Sequence, residues 1–549
     1  MTGPARTFLV LFIASLCVSQ TAFAQSAISQ AEAARVEAHI KFLADDYLGG
    51  RDTGTPGFEI AARYVASQFA QIGVQPAGNN GSYFQGITFR RAYRDLDAAS
   101  FLVHGPDGNE VFAFGEEFIS GTPMASTEAT VTAELVFVGY GIESDWLNHH
   151  DYEGMDVEGK IVVTLSGQPE SFPSEEGAHF SSGAQKREAA ISRGAVGMIT
   201  LWTPLRERLR PYATLSRNLH QPSVIALNRD GSVGSEVSAY KGGASLSLDA
   251  GARLFEMAGR SLDDVFATIE SGESPPRFDL PLSVTIESGS RHEVITSPNI
   301  LGVIEGSDPV LKNQYVTFTA HLDHVGPAEG DDGDLIHNGA LDNAAGVAAL
   351  LENARLLMSL EERPRRSIMF VIVTAEEKGL LGAQYFAENP TVPIQNIVAN
   401  INLDMPLILY PFNNVIAFGA QHSTLRDNLQ RGLESMGLSL MDDPMPAEAI
   451  FVRSDHYRFV QQGIPAVMLA TGYGSDDPSL NGEQIWGNFL QTHYHQVSDS
   501  VDLPIDYEAG ARFAQVNFVI GMDVANADER PLWNANDFFG NEFGKEWSR

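Results

Sequence analysis

Residues 315–346 read YVTFTAHLDHVGPAEGDDGDLIHNGALDNAAG, and the reading of the whole chain starts there. The β-rich run from Tyr315 to Thr319 delivers His321 and Asp323 together. Residues i and i+2 of an extended segment face the same way, so imidazole and carboxylate emerge on one side just past the strand end. A polar loop follows, and Asp342 opens a helix. The apolar positions Val347, Leu350, Leu351, Ala354, Leu357 and Met358 keep helical spacing, so that helix packs back on the strand. The unit is strand, donor-bearing loop, helix. Imidazole nitrogen and carboxylate oxygen are the donor mix that zinc and similar divalent ions prefer.

Outward from this unit the same texture repeats. From about residue 290 the short apolar runs NILGVI, YVTFTA, SIMFVIVT, IVANINL and PAVML alternate with helical segments. That alternation predicts an α/β fold with a mainly parallel or mixed central sheet and helices on both faces. In such sheets ligands bind beyond the carboxyl ends of the strands. The residues after successive runs are therefore the informative ones. YVTFTA leads to His321 and Asp323, SIMFVIVT to Glu376 and Glu377, and IVANINL to Asp404, while the later loop HYHQVSDS offers His493, His495 and Asp499. Two adjacent Glu residues are ordinarily a solvated helix start, a lone Asp after a strand a cap, and a loop His plain surface. Their coincidence at equivalent positions fits two close metal ions: one bridging carboxylate, a His and a carboxylate for each ion, and a further carboxylate to handle the proton of a water.

Towards the N-terminus, residues 29–45 and 57–73 read as amphipathic helices around the loop LGGRDTGTPG at 48–57. From 93 to 285 the texture changes to short β-like runs, among them FLVHG, AELVFVGYGI, KIVVTLSG, VGMITLW and PSVIALN, with one helix near 183–193. This stretch is expected to be a mainly β domain inserted into the first. The expected organisation is a signal peptide at 1–24, the first domain at 25–92 and 286–530, the insert at 93–285, and an aromatic tail at 531–549 that docks on the protein's own surface.

The 549 residues suggest more than one domain, and the net charge of −34 excludes a nucleic-acid partner, because phosphate backbones need a basic face. Arg6, the apolar run Phe8 to Val18 and Ala22-Phe23-Ala24 make a charged, an apolar and a small-residue cleavage region. Cleavage after Ala24 removes Cys17, the one cysteine, so the mature chain is exported, forms no disulfide and keeps no membrane anchor.

Six ordered motifs then carry a resemblance: HLDHVG at 321–326, NGALDNAAG at 338–346, AEEKGLLG at 375–382, NLDM at 402–405, RSDHY at 453–457 and YHQVSD at 494–499. The chain resembles the M28 family of co-catalytic zinc peptidases, within it the aminopeptidases that carry an inserted protease-associated domain. FLADDYLGGRDTGTPG at 42–57 matches the lead-in of that subgroup, and HDYEGMDVEGKIVV with GAVGMI looks like the inserted domain. The resemblance implies two Zn2+ ions bridged by Asp342, with His321 and Asp404 completing one site and Glu377 and His495 the other. It implies Glu376 as general base and Asp323 as the carboxylate that orients His321. Asp455 and His456 fall near the substrate pocket, while His324, His493 and Asp499 serve in support.

Two positions depart from the family pattern. Leu341 stands where a second Asp often precedes the bridging one, and Phe451 lies where some relatives place an oxyanion-stabilising Tyr. The expected activity is that of an exported aminopeptidase, periplasmic or secreted, acting on peptides. Its rivals are a carboxypeptidase of the same fold, with Arg453 facing the substrate carboxylate, a cyclase acting on N-terminal glutamine, and a metal-free, receptor-like binding protein. Oligomeric state and the preferred N-terminal residue are left open by these residues.

Overall fold

Four strands supply the scaffold of the site, and almost every residue in them is buried: Tyr315–His321, Ser367–Val373, Ile397–Leu403 and Ala466–Thr471. Their Val, Ile, Leu and Phe content suits strands covered on both faces, the condition under which parallel sheets occur. The computed structural model describes residues 32–548 apart from 218, 329, 331 and 332. The expected signal peptide and Cys17 lie outside the described residues.

The chain divides into two compact units. The first takes the chain up to Gly86, Ser297–Pro444 and Arg453–Arg549. Its strand order is Ser439–Met441, Asn414–Phe418, Ala466–Thr471, Ile397–Leu403, Tyr315–His321, Ser367–Val373 and the end of Phe278–Ile304. The three pairings among the four buried strands are parallel. Asn414–Phe418 and residues 300–304 join on either side in antiparallel sense, so the sheet is mixed. On one face Phe318 and Phe370 stack, and Phe69 of helix Pro56–Ile72 packs on Phe370. Helices Ala345–Met358 and Tyr507–Asn526 cover the same sheet and pack on each other. Helices Leu381–Glu388 and His456–Val460 pair through Phe386 and Phe459.

A half-buried ion pair fastens the first helix, residues 32–43, to the helix behind Asp342. Arg35 donates to both oxygens of Glu352 at 2.9 and 2.8 Å, and Arg355 adds two hydrogen bonds to Oε1 at 2.8 and 2.5 Å. Burial by itself would raise the Glu352 carboxyl, but the two guanidinium groups outweigh it and hold it below the ordinary carboxylate range. In the tail, Trp533, Phe538 and Phe539 are buried, and Trp533 Nε1 donates to Gly463 O at 3.0 Å.

The second unit is Ile87–Thr296 with Met445–Val452. These bounds differ from 93–285, and the reason is structural. The passages at 86/87 and 296/297 fall inside long strands, Phe84–Gly105 and Phe278–Ile304, so no turn residue marks them. Its strands run in the order Phe278–Ile304, Glu128–Phe137, Ile161–Leu165, Gly197–Leu201, Gly242–Leu246, Phe118–Ser120. Phe101, Phe118, Phe137, Leu201, Leu254 and Phe255 belong to its core. The expectation of a mainly β unit with one helix needs correction, because seven helices occur between Ile87 and Thr296 among the described residues. Several are short and begin on a serine cap: Ser247 accepts from Ala250 N and Ser261 from Asp264 N. Helices this short show too few periods to stand out by spacing.

His39 and His179 are buried, and burial lowers each from the ordinary 6.5 to about 4. A histidine lowered in the folded state favours folding fully above 6.5, and the contribution is lost as pH falls towards 4. A shift of this size is worth about 3 kcal/mol for each residue. The melting temperature should therefore drop between pH 7 and 5. His39→Gln should lower stability at pH 7 through loss of the contact with Tyr64, yet lose less on acidification than the parent. Parallel pH–melting curves for the two proteins would contradict this origin of the acid sensitivity.

Candidate metal centre

The Tyr315–His321 strand ends on His321, and the chain then turns so that Leu322, Asp323 and His324 remain buried. The next strand in space, Ser367–Val373, runs into Ala375, whose φ of 55° lies in the left-handed region. A non-glycine residue there marks a backbone held by its surroundings. Directly after this kink come Glu376 and Glu377. Asp404 follows the strand Ile397–Leu403. Asp342 sits in the wide turn Ala340–Ala344 that leads into helix Ala345–Met358, and its peptide bond to Asn343 is cis. His495, with φ 55°, comes from the loop after helix Gly482–Thr492.

These elements bring the donors to one point. His321 Nε2 lies 3.2 Å from Asp342 Oδ1 and 3.0 Å from Asp404 Oδ1. His495 Nε2 lies 3.2 Å from Asp342 Oδ2 and 3.1 Å from Glu377 Oε2. Asp342 thus offers one oxygen to each imidazole. Two groups of ligand atoms result, His321 with Asp342 and Asp404, and His324 with Asp342, Glu377 and His495, the atoms of each group within 4.8 Å of one another. Glu376 forms a further such group with His321 and Glu377. Burial would lower His495, but its hydrogen bonds to Asp342 and Glu377 raise it to about 10. Burial would likewise raise Glu377, with the Asp342 charge adding to it, but His324 and His495 outweigh both and bring it to about 2. Carboxylates that hold imidazoles charged against burial hold a divalent cation for the same electrostatic reason. The mixed N and O donors suit zinc, so the residues present fit the metal implied by the motifs.

Glu376 behaves differently from its neighbour. Burial pushes its carboxyl well above the ordinary range, and the charges of Glu377, Asp404 and Asp455 push the same way against His321. The two consecutive carboxylates are held apart by Asp323, which accepts from Glu376 N at 3.1 Å through Oδ1 and from Glu377 N at 3.3 Å through Oδ2. This corrects the expected role of Asp323. His321 Nδ1 meets the Asp323 backbone carbonyl at 3.0 Å, so the carbonyl and not the carboxylate orients the imidazole. The carboxylate is committed to the 376–377 turn and to Thr53 Oγ1 at 3.2 Å.

Asp455 and His456 are fully buried at the start of helix His456–Val460. The contact in that motif comes from Ser454, whose hydroxyl donates to Asp404 Oδ2 at 2.5 Å. Asn402 Nδ2 donates to Ser454 Oγ at 2.8 Å, and Thr319 Oγ1 donates to Asn402 Oδ1 at 2.6 Å. A buried hydrogen-bonded line thus runs from the sheet to Asp404. Asp499 accepts from Leu341 N at 2.9 Å and Asp342 N at 3.0 Å, and Asn343 ties Leu403 O to Gly346 N. His493 bonds Ser498 and stands outside the donor groups. Tyr494 stacks on His495 with ring centroids 3.9 Å apart.

Residues 299–520 match the family model described as Peptidase family M28. A probable lipoprotein aminopeptidase of Mycobacterium tuberculosis is 23% identical over 491 residues, 86% of this chain and 81% of that protein. Aminopeptidase NAALADL1 of Mus musculus is 38% identical over 133 residues, 23% of this chain but only 16% of the mouse protein. Among solved structures, an aminopeptidase from Aneurinibacillus sp. strain AM-1 shares the fold, with a TM-score of 0.51 and 20% identity over 91% of this chain and 94% of that one.

One residue escaped the reading of single motifs. Arg51, in the lead-in loop, is buried, and its guanidinium donates to Leu322 O at 2.8 Å, Asn338 O at 2.6 Å and Gly339 O at 3.0 Å, with a further bond to Leu43 O. It clamps the loop after His321 to the turn before Asp342. Burial lowers it to about 10 against the opposing pull of Asp499 and Asp342. Arg51→Lys keeps the charge but loses the planar fork and leaves buried carbonyls without donors. Denaturant unfolding should show a loss of about 3 kcal/mol or more. A change below about 0.5 kcal/mol would mean that the clamp is redundant.

Proposed function

We propose that this protein is an exported di-zinc aminopeptidase that hydrolyses the first peptide bond of peptides. One observation carries the proposal: a single buried carboxylate, Asp342, presents each of its oxygens to a separate imidazole–carboxylate group. That is the donor pattern two neighbouring ions need. The match of residues 299–520 to the M28 family model and the aminopeptidase names of the relatives support the reaction class. The unit Ile87–Thr296 is read as a protease-associated domain on the segments HDYEGMDVEGKIVV and GAVGMI. No helix among the described residues is long and apolar enough to cross a membrane, and the 1–24 segment directs the chain to the periplasm or the medium.

Zinc bound by His321, Asp342 and Asp404 and by His495, Asp342 and Glu377 supplies acidification of a water and polarisation of the scissile carbonyl. The remaining work falls to the chain. Glu376 accepts the water's proton as the water attacks, and returns it to the departing amine. Its raised pKa in the buried cluster suits a group that must both take and give a proton. Asp323 fixes the peptide groups of Glu376 and Glu377, so the proton-transfer carboxylate and the ligand carboxylate keep different directions.

Zinc-loaded protein should release the N-terminal residue from aminoacyl chromogenic substrates and unblocked peptides, and leave N-acetylated peptides intact. Release from the C-terminal end of a blocked peptide would establish the carboxypeptidase reading instead. Glu376→Gln should retain zinc and lose roughly 10²–10⁴ in kcat with little change in KM. Glu377→Gln should weaken one zinc. Loss of zinc in the first variant with retention in the second would reverse the two roles, and near-parental turnover of Glu376→Gln would remove the general base from the mechanism.

A further inference from the structure

We infer that His324 is a positioning residue for one of the two ions: it donates to Glu377 Oε1 and leaves only Oε2 to bind metal. The inference rests on the assignment of Glu377 as a zinc ligand. His324 is fully buried, three residues beyond His321. Its Nδ1 lies 2.8 Å from Glu377 Oε1 and 3.9 Å from Asp342 Oδ2. The shorter distance is that of a charge-assisted hydrogen bond. Its Nε2 is buried and makes no hydrogen bond to any of the described residues. This decides the tautomer. With the proton on Nδ1, the Glu377 bond is made and Nε2 is left as a bare acceptor. With Nδ1 bound to metal, the proton must sit on Nε2 as a buried N–H without an acceptor, the rarer and costlier arrangement. An imidazole that binds metal also ordinarily donates its other N–H to a partner, and none stands here among the described residues.

The other terminal carboxylate is built on the same plan. Asp404 gives Oδ2 to the Ser454 hydroxyl and turns Oδ1 towards His321. Glu377 gives Oε1 to His324 and turns Oε2 towards His495. The side chain that fixes Glu377 is held in turn. The turn at Gly339, with φ 59°, brings its backbone so close to the His324 ring that a Cβ there would lie 2.7 Å from the ring. His324 N also lies 3.4 Å from Arg51 O.

The test is stepwise zinc affinity, measured by chelator competition on the full chain with Zn2+ as the probe. His495→Ala identifies which step belongs to the Glu377 side. His324→Ala should weaken that same step by 10- to 100-fold and leave the other unchanged. His324→Asn places an amide N–H near the position of Nδ1 and should recover most of the lost affinity, although it cannot replace an imidazole ligand. If the asparagine variant is as weak as the alanine variant, His324 binds the metal directly and the inference is wrong. Unchanged affinities in His324→Ala would also overturn it. Parental protein that binds no zinc at all would instead overturn the di-zinc reading, a different outcome from either.

Discussion

The site depends on the Asp342 carboxylate. It is 2% exposed, and each of its oxygens faces an imidazole contributed by a different part of the chain. A buried carboxylate is tolerated only when charge and hydrogen bonds surround it. Here His321 and His495 supply the charge and hold Asp342 well below the ordinary carboxylate range, against burial. Asp499 holds its peptide N–H. Beyond this ring, however, carboxyl groups outnumber the cationic side chains: Glu376, Asp323 and Asp455 are all raised by burial and by neighbouring carboxylates. A cluster of this kind favours divalent cations, since each ion screens several carboxylates at once.

The scaffold meets that constraint by fixing donors from outside the cluster. Carboxylates that bind metal must present one oxygen in a set direction, and free rotation of the side chain would blur it. Ser454 fixes Asp404, His324 meets Glu377, and Asp323 braces the peptide groups of Glu376 and Glu377. Behind them, Thr319 and Asn402 carry the hydrogen-bonded line into the sheet, and Arg51 locks two loops through their carbonyls. Buried hydrogen-bonded networks of this sort are rigid, and rigidity is what a metal site requires.

Much of this was legible in the chain. The apolar runs before His321, Glu376 and Asp404 predicted strands ending at one edge, and parallel strands do place those residues together. What spacing could not show was which atom of a residue acts. Asp323 lies two residues beyond His321, yet the contact with the imidazole is made by its carbonyl, which every residue carries. The same limit hid Arg51, because its partners are all backbone oxygens, three of them from distant segments. The motif RSDHY drew Asp455 and His456 into the site, whereas the neighbouring Ser454, chemically plain, makes the bond to Asp404. The bounds of the second unit were missed for another reason: its passages at 86/87 and 296/297 run through long strands, and an extended strand leaves no composition change at a boundary.

The central claim is that Asp342 lies between two ions. It is tested most directly by anomalous diffraction at the zinc edge from crystals of the zinc-loaded protein. The account predicts two peaks, one on each side of the Asp342 carboxylate, about 3.5–4 Å apart. One would lie beside His321 and Asp404, the other beside His495 and Glu377. A single peak, or two peaks that do not share Asp342, would contradict it.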